Sequence, residues 1–384
     1  MAKFDIRPLL IAPTILLGGD VRLAADAFGP VWSSSQLEQL DHWAAAAPSD
    51  GLPKPDTRAF NAAKWRGQPA EINRTANELS ANLARTQLHG AAAPEEKAEW
   101  FIADSDSVLD LAPRIAAALE ADQLDAFITS LRPDHPAYAA LRSALATETD
   151  PAKREVLTRN MERWRWLPRS LGDEYLLANA AGYEVSLWRG SKRVKSWPAI
   201  SGKVTSQTPS IAAIVTAVNF NPWWEVPASI AEETKLTANG SFVWNGKRFR
   251  QKPGPGNSLG RMKLIMPNSY NIYLHDTPSR GLFGAQQRAF SHGCLRVSDA
   301  LGFAAVLLEG SYGRQRIDRL FKTEEGEEMQ STVVALAKPL PVYVTYFTVD
   351  LQTDGSLAWH KDIYQRDARI VAVQTRDAVQ LAAQ

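Results

Sequence analysis

The chain has 384 residues, of which 45% are hydrophobic and 22% are charged, and its formal net charge is +1. This length exceeds one typical hydrophobic core, so two domains are expected. The near-neutral charge argues against binding of nucleic acid by electrostatic attraction. The single cysteine excludes an internal disulfide, and the sequence does not indicate an oligomeric state.

Residues 1–27 have the pattern of a secretory signal peptide. Lys3 and Arg7 precede or flank an apolar run at 8–17, and Ala25 and Ala27 fit a small-x-small cleavage site. Two prolines and nearby acidic residues weaken the pattern, which leaves an N-terminal segment without a targeting role as the alternative. About ten apolar residues cannot span a bilayer as a helix. We therefore predict an exported protein with no stable membrane span.

Apolar residues recur with helical spacing from residue 32 to about residue 165. Ser35 with Glu38 predicts a capping box, and Asp150 followed by Pro151 predicts another helix start. Two stripes would face a core: Ile72, Ala76, Leu79 and Leu83, and then Leu124, Phe127, Ile128 and Leu131. We predict a helical scaffold domain over residues 28–168.

After residue 168 the pattern changes to short alternating or apolar runs, which are typical of strands. The predicted strands lie at 175–179, 183–188, 193–200 and 211–219, and a strong β run at 342–349 should close the sheet. The fold class is therefore α+β, with a helical scaffold followed by a mainly β catalytic domain over 169–370. Residues 371–384 would form a C-terminal tail.

Two stretches of the β region could contact a ligand. Trp223 and Trp224 could line a groove for sugar or peptide, and packing between the sheet and the scaffold is the alternative. The string GNSLG at 256–260 matches the nucleophile elbow of serine hydrolases. That motif needs a strand before it and a helix after it, whereas prolines precede this string and a strand-like run follows. We reject it as a catalytic centre.

The cysteine lies in the string SHGC at 291–294, after His292 and Gly293. A thiol with a pKa of about 8.5 is only a few per cent ionised at neutral pH, so an imidazole must assist it. His275 ends an alternating run at 270–275 that predicts a strand. We predict that His275 draws the proton from Cys294, with Asp276 or a nearby carbonyl fixing its tautomer. His292 is the alternative base.

The turn that carries Cys294 is predicted to lie just ahead of a helix with Ser298 as its N-cap. Such a turn can direct the backbone N–H groups of His292, Gly293 and Cys294 at one point, which would form an oxyanion hole. Gly293 removes a side chain that would crowd an incoming carbonyl.

Two other interpretations of these residues remain open. A lone cysteine is often a buried small hydrophobe, although the adjacent histidine and glycine favour a nucleophile. A zinc site could use a set of four possible ligands: His275, Asp276, His292 and Cys294. Because no second close-spaced ligand pair occurs, we expect no metal and no cofactor.

The strings HDTP at 275–278 and SHGC at 291–294 resemble the active site of the L,D-transpeptidases, enzymes that cross-link bacterial peptidoglycan. NFNPWWEVP at 219–227, PGPGNSLG at 253–260 and RAF at 288–290 resemble the large branch of that family, which carries a helical N-terminal scaffold. The resemblance covers about residues 157–366, and more loosely the helices before them.

The resemblance implies a two-step reaction on peptidoglycan stem peptides. Cys294 would attack the bond between meso-diaminopimelate and D-alanine of a donor tetrapeptide, and the side-chain amine of another diaminopimelate would capture the thioester. His275 would be the base, and the amides at Gly293 and Cys294 would form the oxyanion hole. The family also implies a lid, here a short basic segment near 234–252, and a location in the periplasm of a Gram-negative cell. A solvated hairpin is the alternative for that segment.

Several side chains are candidates for binding the substrate. Arg288 and Arg296 could hold substrate carboxylates, because guanidinium pairs bidentately with them, or could brace the loop. The other candidates are Asp276, Ser291, Trp223 and Trp224. The alternative functions are an L,D-carboxypeptidase that trims tetrapeptides and a non-catalytic peptidoglycan-binding protein, although the intact Cys294 and His275 argue against the latter.

Overall fold

A computed structural model of the protein describes residues 31–97, 99–103, 109–322 and 329–371. The predicted signal peptide, residues 1–27, and the predicted tail after residue 371 lie outside the described residues. Within the described ranges, no helix is long and apolar enough to cross a membrane.

The N-terminal part of the described chain is helical, as predicted. Its helices are α1 (Ser34–Ala46), α2 (Arg58–Arg66), α3 (Pro69–His89), α4 (Leu111–Glu120), α5 (Leu124–Ser130), α6 (Pro136–Thr147) and α7 (Pro151–Arg165). The stripes on α3 and α5 pack into one apolar cluster, in which Leu79, Leu83 and Ile128 are buried. Burial of these stripes explains why the helical periodicity is so regular.

Two predicted helix starts have different outcomes. The capping box of α1 is formed by Ser33 and Gln36. The predicted pair, Ser35 and Glu38, was therefore wrong by two residues. The Ser33 amide donates to Gln36 Oε1 at 3.0 Å, and the Gln36 amide donates to Ser33 Oγ at 3.3 Å. Asp150 caps α7 as predicted, since its carboxylate accepts from the Ala152 amide at 2.9 Å.

The C-terminal part is mainly β. Its strands are β1 (Glu174–Asn179), β2 (Glu184–Arg189), β3 (Lys192–Gly202), β4 (Ile211–Phe220), β5 (Trp224–Glu225), β6 (Phe242–Trp244), β7 (Phe249–Gln251), β8 (Met262–Ile265), β9 (Leu274–His275), β10 (Ala289–Ser291), β11 (Leu295–Val297), β12 (Thr332–Thr345), β13 (Val349–Leu351) and β14 (Leu357–Trp359). The first four strand predictions are confirmed to within two residues at each end.

The large sheet closes on itself. In hydrogen-bonded order it runs β3, β11, β9, β8, β4, β12, β1 and β2, and β2 pairs again with β3, while β10 adds to the other side of β3. The β run at 342–349, which was predicted to close the sheet, instead contributes the end of β12, between β4 and β1. Closure comes from the pairing of β2 with β3. Apolar side chains of these strands bury one continuous core against α9 (Ala300–Leu307) and α10 (Arg314–Arg319).

A small second sheet lies beside the closed one. Strands β5, β7 and β6 pair in that order, and α8 (Ala228–Glu233) lies between β5 and β6 in the chain. The β6–β7 turn is shaped by Asn245, whose side-chain oxygen accepts from the amides of Lys247 and Arg248 at 3.1 and 2.9 Å. This hairpin occupies the segment predicted as a short lid.

The helical region and the closed sheet share a core. Trp164 of α7 stacks on Phe347, with 4.7 Å between ring centroids, and both rings are buried. Beside them, the Arg163 guanidinium donates to Asp367 at 2.5 Å, in a pair that is almost completely buried. The end of the β region is therefore fastened to the last scaffold helix.

Candidate active site

The parallel pairing of β9 with β11 brings the predicted catalytic residues together. Leu295 pairs with Leu274 and Arg296 with His275, and the Leu295 amide donates to the Tyr273 carbonyl at 3.1 Å. Because side chains alternate between the two faces of a strand, Tyr273, His275, Cys294 and Arg296 share one face. All four line a cavity of about 830 Å³.

The strand predicted over 270–275 is shorter than expected. Asn271 has a left-handed backbone with φ of 54°, and only Leu274 and His275 are in the strand. The loop before them serves the nucleophile, because the Cys294 thiol donates to the Asn271 carbonyl at 3.6 Å.

Cys294 lies partly exposed in the cavity wall, so it is not a buried core residue. Desolvation by the surrounding protein raises the pKa of its thiol to about 11. Hydrogen bonds from the Tyr273 amide and hydroxyl, and the charges of Arg296 and Lys263, oppose that rise. The resting nucleophile is therefore a neutral thiol at neutral pH.

His275 is 5% exposed, and its Nδ1 lies 2.5 Å from the carbonyl oxygen of Asp276. A carbonyl oxygen can only accept, so Nδ1 carries the hydrogen in the neutral ring. Burial and the charge of Arg296 together lower the pKa of His275 to about 4, and hydrogen bonds to the Asp276 and Leu259 carbonyls oppose that decrease. The Asp276 carbonyl, rather than its carboxylate, fixes the tautomer.

The Cys294 thiol and the His275 ring belong to neighbouring segments, because β11 pairs with β9. Cys294 immediately precedes Leu295, which pairs with Leu274, and His275 follows Leu274 and pairs with Arg296.

The turn before Cys294 is fixed from inside. Gly293 has φ of 113°, and a Cβ there would lie 3.2 Å from Ile272 Cδ1, so the position favours glycine. The Ser291 hydroxyl accepts from the Gly293 amide at 3.1 Å and donates to the Cys294 carbonyl at 2.5 Å. The Gly293 amide is therefore used by the turn, and it does not join an oxyanion hole as expected. Among the described residues, the Cys294 amide has no acceptor.

After the turn, the chain forms β11 before any helix begins. The predicted N-cap, Ser298, is wrong by one residue, because α9 starts after Asp299, whose carboxylate accepts from the Gly302 amide at 3.2 Å. The helix therefore lies too far along the chain for its N-terminus to contact the sulfur.

His292 also lines the cavity, and its side chain contacts two charged residues. Its Nε2 lies 3.2 Å from Glu233 Oε2 and 3.3 Å from Lys203 Nζ, and Lys203 donates to Glu233 at 3.1 Å. Glu233 is the last residue of α8. This placement favours His275 over His292 as the base and gives His292 a role in holding α8.

The predicted arginines have different surroundings. Arg296 lines the cavity, and within the described part of the chain its buried Nε has no hydrogen-bond partner. Arg288 instead donates to the carbonyls of Ala199 and Tyr183 at 3.0 and 3.1 Å. Arg296 is thus available to a substrate, whereas Arg288 braces the sheet.

Two further candidates for substrate binding serve the fold. The Asp276 carboxylate is buried, accepts from the Arg261 amide at 2.8 Å and lies 3.3 Å from Arg280 Nη2. Ser291 is occupied by the turn. The side chains of Asp276 and Ser291 thus have hydrogen-bond partners within the protein. The strings HDTP and SHGC alone do not reveal these partners.

The adjacent tryptophans are not equivalent. Trp224 lines the cavity, and its indole N–H donates to the Tyr273 hydroxyl. Trp223 instead packs beneath the Arg250 guanidinium, 4.4 Å from its ring centroid. The groove interpretation therefore suits Trp224, whereas Trp223 contacts β7 of the small sheet.

Sequence reasoning missed two neighbours of the sulfur. Tyr273 contacts Cys294 through its amide and hydroxyl, and the period-2 spacing to His275 was a signal that could have identified it. Lys263 pairs with His275 across β8 and β9, and its Nζ lies 5.2 Å from the centre of the Tyr273 ring. Its position depends on strand pairing, which the sequence does not specify.

The rival sites find no support. Asp276 and His292 contact other residues, and in the described ranges no three histidine, cysteine, aspartate or glutamate side chains are grouped to hold a metal ion. Residues 256–260 form a turn that leads into β8 rather than a strand-to-helix elbow.

Comparison with known proteins gives two family matches. Residues 173–323 match the model of an L,D-transpeptidase catalytic domain, and residues 24–145 match a scaffold domain. The chain is 26% identical over 291 residues to a Haemophilus influenzae protein named "Putative L,D-transpeptidase". That match covers 67% of this chain but only 58% of the relative. The matches confirm the family resemblance.

Solved structures give a weaker likeness. An L,D-transpeptidase from Mycobacterium smegmatis is 15% identical, with a TM-score of 0.26 over 45% of this chain and 58% of the other. L,D-transpeptidase 3 from Mycobacterium tuberculosis is 12% identical, with a TM-score of 0.26 over 45% and 61%. At these scores the likeness supports no conclusion about this chain.

Proposed function

Because this chain carries the catalytic domain of the L,D-transpeptidase family together with a scaffold domain, we propose that it cross-links peptidoglycan stem peptides through a thioester on Cys294. The observation that supports this most is the shared face of β9 and β11, where Cys294, Tyr273, His275 and Arg296 line one cavity. A thiol, a proton acceptor, hydrogen-bond donors and a cation are what acyl transfer requires.

In the first step, Cys294 Sγ attacks the carbonyl carbon between meso-diaminopimelate and D-alanine of a donor tetrapeptide. His275 Nε2 takes the thiol proton as the carbon–sulfur bond forms. Because the pKa of His275 is low, about 4, the protonated ring gives that proton up readily. It then protonates the departing D-alanine nitrogen as the carbon–nitrogen bond breaks. The products are a thioester and free D-alanine.

The negative charge on the tetrahedral intermediate needs donors that are not already used. The Cys294 amide has no acceptor among the described residues, and the Tyr273 hydroxyl lies at the sulfur. These two groups are the best-placed candidates for an oxyanion hole. Arg296 adds a positive charge to the same cavity and suits a substrate carboxylate.

In the second step, the side-chain amine of a second diaminopimelate attacks the thioester carbon. His275 takes a proton from that amine, and the same proton returns to the sulfur as the carbon–sulfur bond breaks. The product is a link between two diaminopimelates, and the neutral thiol is restored. If water took the place of the amine, the product would be a trimmed tripeptide.

The substrate also determines where the protein would act. Peptidoglycan lies outside the cytoplasmic membrane, so this function requires export, and the signal pattern at 1–27 supports a periplasmic location in a Gram-negative cell. The α8 segment, fastened to His292 and Lys203, would border the bound stem peptide.

Product analysis tests this function. Purified protein is incubated with isolated sacculi rich in tetrapeptide stems, which are then digested and separated by chromatography with mass detection. Dimers linked through two diaminopimelates, absent from a protein-free control, are the expected result. Tripeptides without such dimers would indicate trimming, and unchanged stems would contradict any enzymatic role.

A further inference from the structure

One aromatic pair at the cavity joins the scaffold region to the catalytic domain. Phe101 lies on the segment before α4, and this segment runs beside the start of β4. The Phe101 amide donates to the Ser210 carbonyl at 2.7 Å, and the Ser210 amide donates to the Glu99 carbonyl at 2.8 Å. These hydrogen bonds fix the position of Phe101 against the catalytic domain.

The partner of Phe101 is Tyr270, and the two rings stack face to face, so that each keeps its outer face and edge open. Their centroids are 4.7 Å apart with 25° between the planes, yet Phe101 remains 46% exposed and Tyr270 43% exposed. Single exposed aromatic residues are ordinary. A stacked pair of rings that come from separate parts of the chain and are both open to solvent is a less common feature.

The pair is continuous with the catalytic cavity. Tyr270 lines the same cavity as Cys294, and it precedes Asn271, whose carbonyl accepts from the thiol. Its loop is held rigid by Asn268, whose side-chain oxygen accepts from the amides of Tyr270 and Ile272 at 3.1 and 3.2 Å. Tyr270 therefore lies at a fixed position in the wall of the cavity that contains Cys294.

We propose that Phe101 and Tyr270 form an aromatic platform that stacks against a sugar ring of the glycan to which the substrate's stem peptide is attached. This rests on the function proposed above, and it extends the substrate from the peptide to its sugar. The scaffold region then contributes directly to substrate binding, and the catalytic domain alone would present only half of the platform.

The chemistry of a pyranose fits this surface. One face of the ring presents C–H groups that pack on flat aromatic carbon, while its hydroxyls lie around the edge and need hydrogen-bond partners. Thr205 and Ser206 line the same cavity and offer hydroxyl groups. A purely apolar peptide side chain would use the rings but would leave these hydroxyls without a partner.

Two donors that differ only in the sugar test the platform: a disaccharide tetrapeptide and the same tetrapeptide without sugar. We expect Phe101→Ala to lower kcat/KM for the disaccharide donor about five- to tenfold and to leave the sugar-free donor unchanged. Tyr270→Ala should lower kcat/KM for the disaccharide donor more than for the sugar-free donor. Phe101→Trp keeps a flat ring and should retain most of the activity. Trp359→Ala removes a comparably exposed ring, 45% exposed, on β14, and should change neither value.

The outcomes separate the platform from the function on which it rests. Turnover of the sugar-free donor by the unaltered protein supports the enzymatic function independently of the platform. Equal losses on both donors would mean that the rings only brace the Asn271 loop, and no loss on either would mean that no sugar binds there; both overturn the platform. If the unaltered protein consumes neither donor, the proposed function and the platform fail together.

Discussion

Tyr273 and Cys294 immediately precede the paired parallel strands β9 and β11, and the Tyr273 hydroxyl interacts with the sulfur. The same hydroxyl oxygen accepts from the Trp224 indole, so its single hydrogen is free to point at Cys294. Burial raises the pKa of Tyr273 well above its usual value, which keeps that hydrogen in place. Tyr273 is therefore a built-in donor beside the nucleophile.

Replacing Tyr273 with phenylalanine should slow acylation about tenfold, since one hydrogen bond to a developing charge is lost while the ring remains. Single-turnover release of D-alanine measures this step. Tyr343→Phe is a suitable control, because Tyr343 is buried in the core shared with the helical region. If the two variants behaved alike, the hydroxyl of Tyr273 would have no special role.

The reactivity of the thiol should depend on pH in a way that reflects its environment. Because burial raises the pKa of Cys294 to about 11, roughly one thiol in ten thousand is ionised at pH 7. The rate of alkylation by iodoacetamide should therefore climb steadily as the pH rises from 6 to 10. A plateau below pH 8 would instead indicate a permanent thiolate–imidazolium pair.

The two histidines should contribute unequally. His275→Ala removes the proton acceptor and should lower kcat about 10²- to 10⁴-fold. His292→Ala removes only the contacts to Glu233 and Lys203 and should cost a few-fold at most. Glu233→Gln, which weakens the same contacts from the other side, should match His292→Ala. A larger loss for His292→Ala than for His275→Ala would reverse the assignment.

The buried pair between Arg163 and Asp367 should be needed for stability. Asp367→Asn leaves the almost completely buried guanidinium without a counter-charge and should lower the free energy of unfolding by about 3 kcal/mol. Denaturant unfolding measures the change. Asp318→Asn breaks an exposed pair with Arg314 and should cost less than about 1 kcal/mol. Equal effects would mean that burial of the first pair is unimportant.

Local pattern was enough to predict much of the fold. The stripes on α3 and α5, and the strands from β1 to β4, follow from periodicity because each buries one face against a core. Strand ends depend on single backbone conformations, and the left-handed Asn271 shortened β9 in a way that periodicity does not reveal. The position of the α1 cap likewise depended on which of several nearby serines accepts a hydrogen bond from an amide in the first turn, and that serine is Ser33.

The site was predictable in its chemistry but not in its contacts. The motifs identified Cys294 and His275, and strand pairing places both at one cavity. Arg288 and Asp276 were expected to bind substrate, and in the structure each side chain has internal hydrogen-bond partners, which depend on tertiary contacts that the motifs do not specify. Lys263 could not be found for the same reason, since it reaches the site through a neighbouring strand.

The central claim is that the sulfur of Cys294 carries the acyl group. The protein is mixed with a disaccharide tetrapeptide whose diaminopimelate side-chain amine is acetylated, so that the donor cannot also act as the acceptor. The mixture is quenched in acid, digested with protease and analysed by mass spectrometry. The peptide containing Cys294 should gain the mass of the donor less D-alanine, and Cys294→Ala should neither gain mass nor release D-alanine. Release of D-alanine by Cys294→Ala at the rate of the unaltered protein would contradict the account.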